Sequence, residues 1–368
     1  MQEKIAKNQY EVAVVPGDGI GPEMTQATIE VIKAAFGSQQ RLNFTGHLAG
    51  ANEYLRSGTA LPDETLIACR KADAVLHGAA GLPDVNLPDG TEAGQDFSLK
   101  IRPALDLFAN IRPIKLYDGI ESSLRHFEPG KIDYVIVREN TEGLYAARGG
   151  GNKVRNDTVT DTMVMTRLGV ERIVKTAAEL AMRRDGAPRD GKKRVTIVDK
   201  ANVLRSFAFF REVAEGVLAN YPEIEVDYAL VDAMTVHMIE RPDTFDVVVC
   251  ENIIGDILSD LGAATVGGMG MSPSAEIGTW HGYFQASHGS APTIAGKDIA
   301  NPIGTILSGA FMLEWLAREH QDATLQPYAD NIINAVNRVL ADGSGRTCDI
   351  KGSASTSSAT KAVCDALT

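Results

Sequence analysis

Short apolar runs rich in β-branched residues alternate along the chain with longer segments of helical period. Residues 10–15 form one such run and precede a helical pattern over 23–36, while residues 74–77 precede helix-like residues 99–108. Further runs fall at 135–137, 195–198 and 247–249, the last ending just before Glu251 and another helical segment. Strands alternating with helices predict an α/β fold with much of its sheet parallel. Ligands in such sheets collect at the carboxyl ends of strands, so the residues after each run are the first candidates for chemistry.

Residues 146–166 differ in texture. They are polar and glycine-rich at Gly149, Gly150 and Gly151, then threonine-rich with a rough alternation of two. Val159, Met163 and Met165 would share one face, interrupted by Asp161, with Thr158, Thr160 and Thr162 on the other. The pattern predicts an extended arm or hairpin, either a surface feature or an arm that pairs with a second subunit.

With 368 residues and 44% hydrophobic content, the chain can bury two domain cores or one large α/β core. Its 36 basic residues against 48 acidic ones leave a net charge of -12, which opposes attraction to phosphate backbones and anionic lipid. No nucleic-acid or membrane partner is expected, and no stretch approaches the ~18 apolar residues of a membrane span. Cys69, Cys250, Cys348 and Cys364 match neither a zinc spacing nor a disulfide framework, so they read as reduced thiols of a cytoplasmic protein.

Four groups of residues could carry chemistry. The turn Pro16-Gly17-Asp18-Gly19-Ile20-Gly21-Pro22-Glu23 joins a strand to a helix, but its third glycine comes one residue early for a dinucleotide fingerprint. No acid lies in residues 37–45 to hold a ribose, so the glycines read at least as well as a tight turn. In Gly255-Asp256-Ile257-Leu258-Ser259-Asp260-Leu261, two carboxylates fall at i and i+4 on one helix face. Their repulsion must be offset by solvent, a basic side chain or a hard cation such as Mg2+ or Mn2+, and Asp232 could supply a third carboxylate. Arg102, Arg112 and Arg138 lie within or just after apolar runs and offer planar forks for carboxylates, although each alone could serve a structural ion pair. Tyr145 and Lys200 are possible proton carriers.

Taken in order, these motifs resemble the isocitrate and isopropylmalate dehydrogenase family of metal-dependent β-decarboxylating enzymes. The resemblance runs from Pro16 to about Val363. It rests on the 16–23 turn, on Arg102 with Phe108-Ala109-Asn110-Ile111-Arg112-Pro113, and on Arg138-Glu139-Asn140-Thr141-Glu142-Gly143-Leu144-Tyr145. It continues through Asp199-Lys200-Ala201-Asn202-Val203, Val231-Asp232-Ala233-Met234, the 255–261 motif, His288-Gly289-Ser290-Ala291-Pro292 and Ala300-Asn301-Pro302.

The resemblance implies a two-domain α/β fold that is not the ordinary Rossmann one. The split cofactor-side domain would span 1–107 and 267–368, and an inserted domain at 108–266 would carry the arm at about 146–166. It further implies that Arg102, Arg112 and Arg138 grip a malate-type 2-hydroxy acid. Asp256 and Asp260 of one subunit, with Asp232 of its partner, would hold Mg2+ or Mn2+ in an obligate homodimer. Lys200, also from the partner, would take the hydroxyl proton, and Tyr145 would protonate the carbon left by decarboxylation. Residues 288–292 and Asn301 would carry the adenosine of NAD, with Asn202 near the nicotinamide ribose.

Three departures bear on specificity. Isopropylmalate enzymes present a glutamate and two leucines where this chain has Gln95, Ser98 and Leu99. Burying an alkyl group against those polar atoms would cost ~1–3 kcal/mol each, which favours D-malate, tartrate or a polar 3-substituted malate over isopropylmalate or (homo)isocitrate. Asp96 would repel a γ-carboxylate if it pointed inward. Gln285-Ala286-Ser287 stands where the family usually has Glu-Pro-Val, and Thr293 replaces both the aspartate of NAD users and the lysine of NADP users. With no added cation, NAD is favoured over NADP. A noncatalytic regulatory subunit is the rival reading, but such a chain should have lost catalytic positions and this one retains them.

Overall fold

The computed structural model describes residues 4–147 and 150–368, so Gly149 of the glycine run lies outside the described residues. The chain folds into two compact units: Met1–Asp106, Tyr117–Glu121 and Gly267–Thr368 form the first, and Leu107–Leu116 with Ser122–Val266 the second.

The first unit opens with β1 (Tyr10–Gly17), whose residues Val12 to Val15 are all buried, the signature of a strand covered on both faces. Helix α1 (Gly21–Phe36) follows, with Pro22 in its first turn, Glu23 near its positive end and Lys33 near its negative end. Met24, Thr28, Val31 and Ile32 form its buried stripe. Next come β2 (Leu42–Gly46), α2 (Ala51–Ser57), α3 (Asp63–Lys71), β3 (Ala74–Ala79) and α4 (Ala93–Ala104).

Helix α4 starts six residues before the helical pattern at 99–108 and ends at Ala104 rather than Phe108. Its first turns were obscured by polarity, yet Ala93, Gly94, Asp96 and Phe97 are buried there. Its end follows Pro103 and a reversal at Asp106, whose φ is 51°.

The second unit contains β4 (Ala109–Lys115), β5 (Asp133–Glu139), the exposed hairpin of β6 (Asn152–Val154) and β7 (Thr158–Thr160), then α5 (Arg167–Arg183). After these come β8 (Arg194–Asp199), α6 (Arg205–Leu218), β9 (Glu225–Leu230), α7 (Val231–Glu240), β10 (Val247–Cys250) and α8 (Asn252–Thr265). Its strands run in the order β4-β5-β10-β8-β9, parallel except for the antiparallel pair β4 and β5. The arm is shorter than the threonine alternation predicts: pairing stops at Thr160, and Val164 instead bridges back to Gly143.

The chain then returns to the first unit with β11 (Pro273–Ile277), β12 (Gly282–Ala286), α9 (Ile303–Glu319), α10 (Gln326–Asp342) and α11 (Thr356–Asp365). Strands of this unit order as β2-β1-β3-β12-β11, with β11 and β12 antiparallel. No helix among the described residues is long and apolar enough to cross a membrane.

The 16–23 turn proves to be a structural keystone of the first unit. Asp18 is wholly buried, and its carboxylate accepts the backbone N–H of Ala51 (2.7 Å), Asn52 (2.8 Å) and Gly81 (2.8 Å). It thereby satisfies the start of α2 and pins the loop after β3. Gly19 has a φ of 56° and would place a Cβ 2.0 Å from the Ser290 carbonyl, while Ile20 donates its N–H to that same carbonyl at 2.8 Å. Replacing Gly19 with alanine should therefore cost at least about 2 kcal/mol, read as a lowered midpoint in urea unfolding. An unchanged midpoint would refute this packing role.

Candidate active site

In the second unit, β5 carries Arg138 next to its last residue and α8 begins just after β10, which is the neighbouring strand. Glu251 caps that helix by accepting the N–H groups of Ile253 and Ile254. The cap fixes the first turns of α8, and with them Asn252, Asp256 and Asp260.

Arg138 is buried and its guanidinium meets Asn252 Oδ1 through Nε (3.0 Å) and Nη2 (2.7 Å), while Nη1 pairs closely with Asp256 Oδ1. Gly255 leaves room for it, since a Cβ there would lie 2.6 Å from the Arg138 side chain. Arg112 comes from β4, with Nη1 donating to Ser259 Oγ at 2.6 Å and lying 3.4 Å from Asp256 and 3.6 Å from Asp260. Tyr145 donates its hydroxyl to Asp256 Oδ2 at 3.0 Å, and Arg138 lies over its ring. Five of the expected site residues thus converge, and the Asp256–Asp260 repulsion is offset in this structure by two arginines.

Burial pushes the Asp260 carboxyl up, with Arg112 pulling it down and Asp256 adding to the rise. Yet the Asp256 and Asp260 side chains remain 37% and 59% exposed, so their oxygens are accessible. Carboxylate oxygens are the donors that Mg2+ and Mn2+ prefer. Among the described residues no three metal-ligating side chains of one chain gather, so Asp232 does not complete the pair within its own chain. Asp232 instead sits in the first turn of α7, with its side chain 69% exposed and its Oδ1 2.7 Å from Lys200 Nζ. That hydrogen bond holds the Asp232 carboxyl below its ordinary range. Asn202, two residues beyond Lys200, is exposed.

In the first unit, Gln95, Ser98, Leu99 and Arg102 recur at i, i+3, i+4 and i+7 and so share one face of α4. Arg102 forms a two-point pair with buried Glu276 of β11, Nη2 to Oε1 at 2.9 Å and Nε to Oε2 at 3.3 Å. Gln285 of β12 donates its amide to the same Oε1 at 3.0 Å. Asp96 pairs with Lys100 one turn on at 2.7 Å.

The residues expected to carry the cofactor, 288–293 and Asn301, are also in this unit. Ser290 Oγ bonds the Gly81 carbonyl and Ala291 adopts a φ of 39°, so the 288–292 loop is held in a fixed shape. Burial pushes His288 down, leaving a neutral imidazole at pH 7. Pro292 and Thr293 are exposed, and Gly289 offers open space beside its backbone. Asn301 caps α9 through the Ile303 N–H (3.0 Å) and donates to Asp349 at 3.1 Å. Asp298, the nearest acid after Thr293, is committed to the start of α11 through the Ser357 N–H (2.8 Å) and hydroxyl (2.7 Å).

Sequence reasoning missed Asn252 and Glu276. Asn252 carried a signal, because it directly follows the buried strand and its capping glutamate. Glu276 carried a weaker one, a single acid in the otherwise small and apolar strand of residues 273–277.

The sequence model of the family described as isocitrate/isopropylmalate dehydrogenase matches residues 11–367. This chain belongs to that family. It is 42% identical over 367 residues to the 3-isopropylmalate dehydrogenase of Halalkalibacterium halodurans, covering 98% of this chain and 97% of the relative. It is also 42% identical to the 3-isopropylmalate/3-methylmalate dehydrogenase of Methanocaldococcus jannaschii, over 91% of this chain and 92% of that protein. The isocitrate dehydrogenase structure from Methylococcus capsulatus superposes with a TM-score of 0.85 at 35% identity, covering 97% of this chain and 99% of that one. Membership makes the chain a β-decarboxylating dehydrogenase acting on a CH–OH group, with NAD and a divalent metal, Mg2+ or Mn2+, as cofactors.

The Arg138 network gives a direct test. Asn252→Ala would strip the acceptor from two guanidinium nitrogens of a buried arginine, at a cost of about 1–3 kcal/mol in thermal or urea unfolding. Loss of stability below a few tenths of a kcal/mol would mean that the fork does not hold Arg138.

Proposed function

We propose that the chain catalyses NAD-dependent oxidative decarboxylation of a 3-substituted malate. The convergence of Arg112, Arg138 and Tyr145 on the Asp256–Asp260 pair carries this reading. Asp256 and Asp260, with Asp232 from a second copy, would hold the divalent ion, which when bound would supply Lewis-acid chemistry to the substrate. Residues 288–293 and Asn301 would hold NAD, which when bound would supply the hydride acceptor for C2.

The chain's own groups do the remaining work. Arg102, Arg112 and Arg138 bind the carboxylates, Lys200 takes the 2-hydroxyl proton as the hydride leaves, and Tyr145 protonates C3 after CO2 departs. Buried Asn252 keeps Arg138 from swinging, so that its orientation does not have to be fixed at the moment of binding.

The relatives' names favour an alkyl substituent, with 3-isopropylmalate first and 3-methylmalate also represented. A second reading, a D-malate, tartrate or polar 3-substituted malate, is favoured by Gln95 and Ser98 on the α4 face. A homodimer is supported by exposed apolar side chains flanking the acidic site: Val203 beyond Lys200, Val236 and Ile239 on α7, and Ile257 on α8. All four cysteines are free, which suits a cytoplasmic protein.

Assaying NAD and NADP reduction with Mn2+ on D-malate, tartrate, 3-methylmalate, isopropylmalate, isocitrate and homoisocitrate decides among the substrates. Ser98→Leu should shift preference toward isopropylmalate by about tenfold to a hundredfold, the worth of one methylene or one unpaired hydroxyl. An unchanged ratio would remove Ser98 from the pocket. Asp256→Asn should depress turnover by orders of magnitude, and near-normal activity in that variant or in chelator would overturn the metal chemistry. Mixing Lys200→Ala with Asp256→Asn chains should restore part of the activity through hybrid dimers. Hybrids that form and stay inactive would defeat the shared site.

A further inference from the structure

We propose that Glu276 and Gln285 are positioning residues for the hydroxy acid, acting through Arg102: together they form a buried clamp that sets the direction of its guanidinium. The inference rests on the reading of Arg102 as a carboxylate-binding residue. Glu276 lies on β11 and Gln285 on the antiparallel neighbour β12, where the partner of Gln285 is Ser274 and that of Glu276 is Tyr283. The two side chains are therefore diagonal neighbours on one sheet face, within reach of each other. Gln285 Nε2 donates to Glu276 Oε1 at 3.0 Å, and Arg102 donates to both Glu276 oxygens.

The arrangement constrains rotation at both ends. Two parallel N–H···O contacts fix the plane of the guanidinium against the carboxylate, which a single contact would not do. The amide of Gln285 then fixes the carboxylate, so the clamp does not depend on Arg102 alone. Glu276 is 1% exposed and the Arg102 side chain 11%, so water does not compete freely for these bonds. Three titratable groups near the clamp add no charge. His77 on β3, pushed down to about 4 by burial, and Tyr283 on β12, pushed well up by burial, both stay neutral between pH 6 and 9. Cys69, also close to Tyr283, is pushed up to about 12 by burial.

Gln285→Glu is the decisive variant, because it is nearly isosteric and leaves Glu276 and Arg102 in place. It sets a second carboxyl where an amide N–H now donates. Protonated, that carboxyl can donate to Glu276 as the amide does; ionised, it repels Glu276 and competes for Arg102. The variant should match the wild type in KM for the best hydroxy acid near pH 6 and show a KM raised at least tenfold near pH 9, with KM for NAD unchanged at both. Glu276→Gln/Gln285→Glu restores one carboxylate and one amide, and its KM should lose that pH dependence. Because the folded state raises the pKa of the added carboxyl above its unfolded value, the melting-temperature deficit of Gln285→Glu should also widen as pH rises above about 4.

A KM-pH profile for Gln285→Glu that tracks the wild type, or an equal change in the KM for NAD, would overturn the clamp. So would a pH-independent melting deficit. Failure of the proposed reaction shows differently: the wild type would reduce no NAD with any of the hydroxy acids, while the pH-dependent melting deficit persisted.

Discussion

A guanidinium cannot be buried without acceptors, and Arg138 is buried almost completely. Everything around the acidic site follows from meeting that requirement. Two of its nitrogens meet Asn252, the first residue of α8, so the arginine on one strand fixes the start of the helix that follows the next strand. Asp256 lies one turn further along the same helix and takes the remaining charge. The helix is thus held in register by the same pair that places a carboxylate beside Tyr145. Gly255 is required for geometric reasons, since a side chain there would occupy the space of the arginine. The bonds that bury Arg138 are the same ones that place Asp256 beside Tyr145.

The first unit solves a related problem with a buried anion. Among the described residues Asp18 has no ion-pair partner, and it is satisfied by three backbone N–H groups from two separate segments. A carboxylate bonded in this way draws together loops that no secondary structure joins. The loop of residues 288–292 then rests on the same turn through Ile20 and Gly19, and on Gly81 through Ser290. The glycine motif therefore supports the loop of residues 288–292 from beneath. This agrees with the absence of a ribose-binding acid after it, and it accounts for three glycines and an aspartate without any direct contact to a nucleotide.

The strands were readable because buried parallel strands are almost unbroken apolar runs, as in β1, β8 and β10. Helix α4 was misplaced because its buried early residues, Ala93, Gly94, Asp96 and Phe97, include only one large apolar side chain, too few for periodicity to detect. The chemistry was partly legible: Asp256 and Asp260 stand out by spacing, and the arginines by interrupting apolar sequence. What connects them was not, because Asn252 and Glu276 become partners of arginines only after distant strands are brought side by side. Gln285 is the plainest case. Along the sequence it is an unexplained departure, whereas across the β11–β12 pair it is the donor that completes the environment of Glu276.

The Lys200–Asp232 pair shows what a single chain leaves unfinished. Both residues follow strand ends, at β8 and β9, and these strands are adjacent and parallel, so the pair is a direct product of sheet register. An ion pair this exposed contributes little to stability, so folding of the chain does not explain its placement. Its exposure does have a chemical consequence: the lysine and the carboxylate are presented outward beside the apolar side chains of Val203, Val236 and Ile239. An apolar surface is stabilised by being covered, and covering it with a second copy would carry an amine and a carboxylate into that copy's surroundings without spending folding stability on their burial. The lysine and the carboxylate can in this way stay solvated until assembly, while Arg112 and Arg138 pair with Asp256, and Arg112 with Asp260, on α8.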